Sequence, residues 1–475
     1  MNVTNSLSGQ AWRWRDGGSS GAGSDGGDDS AFGSGSLQPD DLVTRLLLTR
    51  GAPRDELDKY RNPSLRAFMP DPSLFQDMDR AAERVADAVA AGESVAVYGD
   101  YDVDGATSAA LLIRLLADLG LAARPYIPDR LLEGYGPSAE ALVRLKDEGA
   151  SLVITVDCGA QAFEALEAAR DAGLDVIVVD HHKCSPALPP ALALVNPNRL
   201  DEAPEAAAHG HLAAVGVAFL LGAALVRTLR GRGWFAEKAE PDLLALLDLV
   251  ALGTVADVAQ LKGLNRAFVA QGLKVMARRG NIGLSALADV ARLKTAPGAH
   301  ELGFALGPRI NAGGRVGQAD LGVRLLTTSD ASEARDISAE LDRLNEERRA
   351  IEAAVTEQAL ELSEGTANAP IAIVSAPGWP PGVIGIVAGR LQEKLRRPAI
   401  VIALAADGVG KGSGRSIPGV DLGGAIIAAR DAGLLVAGGG HAMAAGLTVA
   451  AGGVPALTQW LADRLERDVT AAQGA

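Results

Sequence analysis

Asp100, Asp102 and Asp104 alternate along VAVYGDYDVDG, Asp157 follows the apolar VITV, and Asp180, His181 and His182 follow VIVV. A further acid, Asp257, stands directly after the apolar LVALGTVA. In open α/β sheets ligands bind beyond the carboxyl ends of the strands, so three apolar strands that each end on an acid would bring their carboxylates to one rim. Carboxylates held that close resist ionising together, and divalent cations resolve the conflict. One Asp at a strand end is ordinarily a helix cap or a solvated turn. Three, with two imidazoles attached to the last, point to a metal centre. Two metal ions about 3.5–4 Å apart that share a carboxylate form a clamp for in-line phosphoryl displacement with a bridging water as nucleophile. A histidine outside the ligand set would then act as an acid or a phosphate donor. Carboxylates with one or two imidazoles and no obligatory thiolate favour Mn²⁺ or Mg²⁺, Mn²⁺ ahead because imidazole is the softer ligand, while zinc more often recruits sulfur. Cys158 and Cys184 border these motifs and read as small core residues.

The elements that must position this rim are legible as short Val/Ile-rich runs at 94–98, 152–156 and 176–179, alternating with helical stretches at 108–119 and 162–172. Apolar strands alternating with helices predict a parallel sheet covered on both faces, preceded by an amphipathic helix over 79–91. Residues 335–362 are charge-laced and helical, a connector between domains. A second α/β segment follows, with strands at 371–374 and 399–403, a helix at 384–395 and a last helix near 454–469. Residues 1–37 are rich in Gly and Ser with almost nothing bulky and apolar beyond Phe32 after the first residues, too little to offset ordering entropy, so disorder is predicted there. The expected organisation is therefore 1–37 disordered, 38–330 catalytic with an N-terminal extension, 331–365 connector helix and 366–475 substrate-binding.

At 475 residues the chain exceeds one ordinary core. Hydrophobic residues at 48% and charged residues at 22% describe a globular composition. No uninterrupted run of about 18 apolar residues suggests a membrane span, and no signal pattern opens the chain, so a cytoplasmic location is expected. Two cysteines exclude a disulfide framework. The net charge of −14 weakly disfavours a polyanionic substrate. Residues 366–475, however, carry nine Lys/Arg against seven Asp/Glu, and bound cations would neutralise part of the acid elsewhere.

DYDVDG, TVDCG, VVDHH and GTVAD, in this order, resemble the four motifs of the DHH phosphoesterase superfamily. NPSLRAFMPDP, EGYG, VGVAF, GPRINAGGR, GVIGIVAGR, GSGRS and GGHAMAAG extend the similarity, from about residue 38 to the end, to its RecJ family of bacterial single-stranded-DNA exonucleases. The resemblance implies an α/β fold, with a parallel-sheet DHH domain joined by a long helix to a smaller α/β DHHA1 domain and DNA threading the cleft between them. It implies 5′→3′ hydrolysis of single-stranded DNA to 5′-mononucleotides in repair and recombination, with two divalent cations, Mn²⁺ preferred and Mg²⁺ possible. Carried over by motif, Asp102, Asp104, Asp157, His181 and Asp257 match metal ligands. His182 matches the histidine that faces the scissile phosphate, and Asp180 orients its neighbours. Arg130 matches an arginine near the 5′-phosphate. Arg309 and Asn311 lie in what reads as a Gly-rich turn, Ser413, Arg415 and Ser416 offer phosphate contacts, and His441 follows three glycines that permit close approach to a DNA strand. Expected partners are single-stranded DNA and, by resemblance, single-strand-binding protein and a helicase; no membrane is expected, and a monomer is.

Three departures accompany the resemblance. Tyr98 stands where the pyrophosphatase branch has a histidine, which argues against that activity. Pro380 replaces a histidine in the block that usually reads Trp-His-x-Gly. The family generally continues into an OB-fold, which is expected to be absent here because the sequence ends at Ala475. Two rival readings are a phosphodiesterase acting on short oligonucleotides or cyclic dinucleotides, and a non-catalytic replication scaffold.

Overall fold

The computed structural model describes residues 39–129, 133–134, 136–365 and 369–474; the segment expected to be disordered and Arg130 lie outside them. The N-terminal sheet comprises β1 (Val95–Gly99), β2 (Ala123–Tyr126), β3 (Leu152–Val156), β4 (Asp175–Val179) and β5 (Ala193–Val195), all parallel, in the order β2-β1-β3-β4-β5. Alternation divides each strand between two cores. Val95, Val97, Leu152, Ile154 and Val156 face the helices Met78–Ala91, Val103–Asp118 and Ala214–Gly231. Ala96, Tyr98, Val153, Val176 and Val178 face Ala139–Asp147 and Phe163–Asp171. Burial on both faces explains why the strands read as unbroken apolar runs. β2 and β5 escaped the sequence reading because one is only half-buried and the other is three residues long.

The order reverses between β1 and β3, and at such a switch point a crevice opens at the carboxyl edge. The helix Val103–Asp118 starts there at close quarters. A Cβ on Gly105 would lie 2.4 Å from the Asp100 carbonyl oxygen, so only glycine lets the helix start against the Asp100 backbone. The helix Ala214–Gly231 is long and apolar enough to cross a membrane by length and composition, although its residues include arginines that interrupt the run. With 72% of it buried inside the protein, it is a core helix.

The connector Ala331–Glu364 is a continuous helix of 34 residues, capped by Asp330, which accepts from the Ser332 and Glu333 amides. Ala334, Ile337, Leu341 and Leu344 lie in the N-terminal core, while Val355 and Ala359 lie in a second core with the helix Ile384–Leu395. One helix therefore belongs to both halves of the molecule. The second sheet contains β6 (Ala372–Pro377), β7 (Ala399–Leu404), β8 (Val409–Arg415), β9 (Ala437–His441) and β10 (Ala444–Ala450). Its order is β6-β7-β8-β10-β9, parallel between β6 and β7 and antiparallel elsewhere.

Two glycine-rich blocks form regular elements, and the turn expected at the first needs correction. GPRINAGGR is no turn: it forms the helix Gly307–Val316, entered through a π-helical turn at Leu302–Leu306. GKGSGR is strand β8. In both, the glycines serve close packing. A Cβ on Gly314 would stand 2.8 Å from the Tyr101 carbonyl oxygen, and Gly410, Gly412 and Gly414 are the inward-facing, buried positions of β8.

Candidate metal centre

The rim forms where β1, β3 and β4, adjacent in the sheet, end on Asp100, Asp157 and Asp180. Asp102 caps the helix Val103–Asp118, accepting from the Gly105 amide at 3.0 Å. Within the first turn, Asp104 is buried, and its two oxygens accept from the amides of Ala214 (2.7 Å) and Val215 (3.0 Å). Those amides open the helix Ala214–Gly231, where unpaired N–H groups and the positive end of the dipole favour an anion. Asp157 takes φ = 61°, a left-handed conformation that Asp tolerates better than most residues. Asp257 is the C-cap of the helix Leu247–Ala256, and the next residue, Val258, holds φ = 60° while 86% exposed. The glycine of GTVAD is also explained: a Cβ on Gly253 would meet Thr107 Oγ1 at 2.3 Å and Asp104 Oδ1 at 3.0 Å.

His181 lies at the centre. Its Nδ1 is 3.0 Å from the Leu212 carbonyl, which can only accept, so Nδ1 carries the proton and Nε2 presents its lone pair. Burial and the neighbouring His182 lower its pKa, which keeps the ring neutral. Nε2 is buried without a hydrogen-bond partner among the described residues, 3.3 Å from Asp157 Oδ1 and 3.9 Å from Asp104 Oδ2. A bare lone pair facing two carboxylates is repulsive unless a cation stands between them. Three overlapping sets, Asp157–His181–His182, Asp104–His181–Asp257 and Asp100–Asp102–Asp157, each offer ligand atoms within 4.8 Å of one another. The donor chemistry, oxygen with one or two imidazole nitrogens, fits Mn²⁺ or Mg²⁺. Asp100 joins the third set; the alternation in DYDVD was the signal for it, although the ligands carried over by motif omit it.

The electrostatics separate the acids. Burial first, and neighbouring carboxylates second, push Asp104 and Asp157 well above the usual range. Burial and Asp102 raise Asp257 to about 7. Asp180 is equally buried, yet its pKa falls to about 2, because bonds from His182 and backbone amides outweigh the desolvation that alone would raise it. It accepts from the amides of Ala160 (2.9 Å), His181 (2.7 Å) and His182 (3.1 Å), and from His182 Nδ1 at 2.8 Å. That bond overcomes desolvation and raises His182 to about 9, so His182 is an imidazolium at neutral pH. Its ring packs edge-on against His181, 4.6 Å between centroids.

The remaining predicted residues spread more widely. Tyr98 is fully buried, donates to the Gly136 carbonyl at 2.9 Å and stacks on Tyr126; it is a core residue. Arg309 pairs with Asp342 of the connector at 2.8 Å and donates to the Ala305 carbonyl, while Asn311 lies half-buried in the same helix. Alternation along β8 puts Ser413 and Arg415 on one face, with the guanidinium 3.3 Å from the Ser413 hydroxyl. Ser416 falls on the other face, buried, its hydroxyl donated to the Val420 carbonyl at 2.8 Å. His441 is exposed where β9 turns into β10. Pro380 follows Trp379, whose indole nitrogen donates to Gln358 of the connector at 2.8 Å. Sequence reasoning missed Arg315, which reaches from the helix Gly307–Val316 to the Gly382 carbonyl at 3.1 Å and so ties that helix to the loop before the helix Ile384–Leu395.

Residues 94–254 match the DHH family, N-terminal domain, and residues 368–467 match the DHHA1 domain. The chain is 42% identical over 421 residues to the single-stranded-DNA-specific exonuclease RecJ of Dickeya dadantii, covering 86% of this chain and 72% of that protein. Among solved structures it resembles RecJ from Thermus thermophilus in complex with Mn²⁺, with a TM-score of 0.75 and 34% identity, covering 90% of this chain and 59% of that one. The Mg²⁺ complex from the same organism is similar, with a TM-score of 0.69 and 33% identity over 90% of this chain and 57% of that one.

Proposed function

Since this chain belongs to the RecJ family of single-stranded-DNA-specific exonucleases, we propose that it hydrolyses single-stranded DNA from the 5′ end to 5′-mononucleotides, as a metal-dependent phosphodiesterase of DNA repair and recombination. The observation that carries this reading is the bare Nε2 of His181 between the carboxylates of Asp157 and Asp104. Asp102, Asp104, Asp157, His181 and Asp257, with Asp100 beside them, would hold two divalent cations. Bound there, such cations neutralise the carboxylates, polarise the scissile phosphodiester and lower the pKa of the attacking water.

The chain's own groups do the rest. Asp180 keeps its negative charge and holds His182 as an imidazolium, which donates to a phosphate oxygen as charge builds in the transition state. Asp180 is thus a positioning residue. Ser413 and Arg415, on the face of β8 beside Gly385 of the helix Ile384–Leu395, are suited to backbone phosphates, with Arg130, Arg309, Asn311 and His441 as further contacts. Ser416 serves this surface indirectly, by fixing the turn after β8. The same reading has the chain act in the cytoplasm as a monomer, on single strands opened by a helicase and covered by single-strand-binding protein.

Digestion of a 5′-labelled single strand with Mn²⁺ tests the proposal, with Asp157→Asn as control. Release of labelled mononucleotide by the parent and none by the variant is expected. Faster turnover of dinucleotides than of long strands would overturn the assignment of substrate, and equal release by both proteins would overturn the assignment of the rim.

A further inference from the structure

We infer that two asparagines, Asn198 and Asn265, are positioning residues that lock the loops carrying His181 and Asp257 to the strap at 210–215 between them; the inference rests on the metal-centre reading above. Residues 210–215 touch that centre through one main-chain group after another. The Leu212 carbonyl receives His181 Nδ1 (3.0 Å), and the Ala214 and Val215 amides hold Asp104. This strap fixes two proposed ligands without contributing a side chain to the site. It has no regular structure before Ala214, so something else must hold it.

Asn198 holds it from one side. Its Nδ2 donates both to the His181 carbonyl (2.6 Å) and to the Gly210 carbonyl (3.0 Å). Its backbone amide is anchored by Asn196 Oδ1 (2.8 Å), while Asn196 Nδ2 donates to the His182 carbonyl (2.8 Å). Asn265 holds the strap from the other side, through Nδ2 bonds to the His211 carbonyl (2.6 Å) and the Gln260 carbonyl (3.1 Å). Gln260 lies in the loop that begins at Asp257. Two side-chain amides therefore span, in sequence, the His181-His182 loop, the strap and the Asp257 loop.

Energetics support this reading for Asn265 in particular. The residue is fully buried, and its Oδ1 has no hydrogen-bond partner among the described residues. An unsatisfied buried oxygen is costly, so a small apolar residue would suit the position unless the two donated bonds were needed. Backbone carbonyls cannot bond to one another; a two-proton donor such as a primary amide is the smallest side chain that can join a pair of them. Groups that orient metal ligands from behind commonly change metal affinity 10- to 100-fold when removed.

The test uses the full chain and Asn265→Asp, which keeps the shape and loses both donors, together with Asn265→Ser and Asn198→Ser. Mn²⁺ affinity is read from the electron paramagnetic resonance of free Mn²⁺, at a temperature where circular dichroism shows each metal-free variant folded. Expected are affinities weakened about 10- to 100-fold by Asn265→Asp and less by the serine variants, which retain one donor. If Asn265→Asp does not fold, the serine variants carry the same expectation. Folded variants that bind Mn²⁺ within twofold of the parent would overturn the inference and reduce both residues to packing. Failure of the parent to bind Mn²⁺ would instead overturn the metal-centre reading itself, so the two failures are distinguishable.

Discussion

Asp157 and Asp180 directly follow the paired residues Val156 and Val179 at the ends of neighbouring parallel strands, and both are buried. Their surroundings differ, although His182 Nδ1 lies 2.8 Å from Asp180 and 4.0 Å from Asp157. Asp157 faces acids and a bare imidazole nitrogen, so its negative charge is costly until a cation arrives. Asp180 receives three amides and an imidazole, so its charge is held without one. The same residue type at the same topological position is thus suited to hold a metal in one case and to anchor a histidine in the other, and the difference lies in which donors the local backbone points at it. The two sheets repeat the contrast at larger scale. The parallel sheet gathers acids at its carboxyl edge, whereas the mixed sheet carries Lys411, Ser413 and Arg415 along one face of a single strand.

The largest expected effect would break the contrast at Asp157. Asp157→Asn is expected to cut hydrolysis about 10³-fold or more, since several kcal/mol of charge stabilisation leave with the carboxylate, while the melting temperature of the metal-free protein rises because a like charge has gone. Asp180→Asn should lower both, as it leaves donors unpaired and frees His182. Melting curves of the two metal-free variants side by side would expose the error if both moved in the same direction.

The pH dependence sharpens the same point. Asp104, Asp157 and Asp257 have folded pKa values above their unfolded ones. The folded state therefore binds more protons than the unfolded state above about pH 4, and metal-free stability should fall as pH rises through about 7. Asp180, with its pKa at about 2, has the reverse sign: its contribution is present above the unfolded pKa near 4 and is lost as pH falls toward 2. Saturating Mn²⁺ should flatten the loss on the neutral side, because metal replaces proton. Denaturant midpoints at pH 5 and pH 8, with chelator and with Mn²⁺, test this; metal-free protein that is more stable at pH 8 would count against it.

A smaller effect is expected at the second sheet. Arg415→Ala should weaken single-strand binding and reduce the slope of log affinity against log salt by about one, with little change in turnover at saturating DNA. An unchanged slope in a fluorescence-anisotropy salt series would remove Arg415 from the phosphate track. The smallest effect concerns Val258, a β-branched residue at φ = 60° and in solvent. Val258→Gly should gain about 1 kcal/mol by relieving left-handed strain, seen as a shifted urea midpoint; a loss would mean that the valine side chain makes a contact worth more than the strain.

Much of the fold was legible because its signals are local. Strands buried on both faces must be apolar throughout, and the acids at their ends were visible in VAVYGD, VITVD and VIVVD. The connector showed its helical period and its charge. Glycine was the weak point. GPRINAGGR and GKGSGR have turn-like compositions, yet they are a helix and a strand whose glycines admit Tyr101, Ile402 and Leu447 at short range, and no local pattern distinguishes a glycine that turns the chain from one that makes room for a neighbour. Ser413 and Ser416 looked equivalent until the strand period separated their faces.

The sequence by itself therefore determined the chemistry available at this site: which acids and imidazoles exist, and that a parallel sheet would carry them to one edge. Only the tertiary structure decided what each does. The strap at 210–215, the amides of Ala214 and Val215, and the Asn198 and Asn265 bridges come from segments far apart in the chain. Protonation, tautomer and ligand geometry depend on these neighbours, whose approach is set by packing across the whole domain and not by adjacent residues.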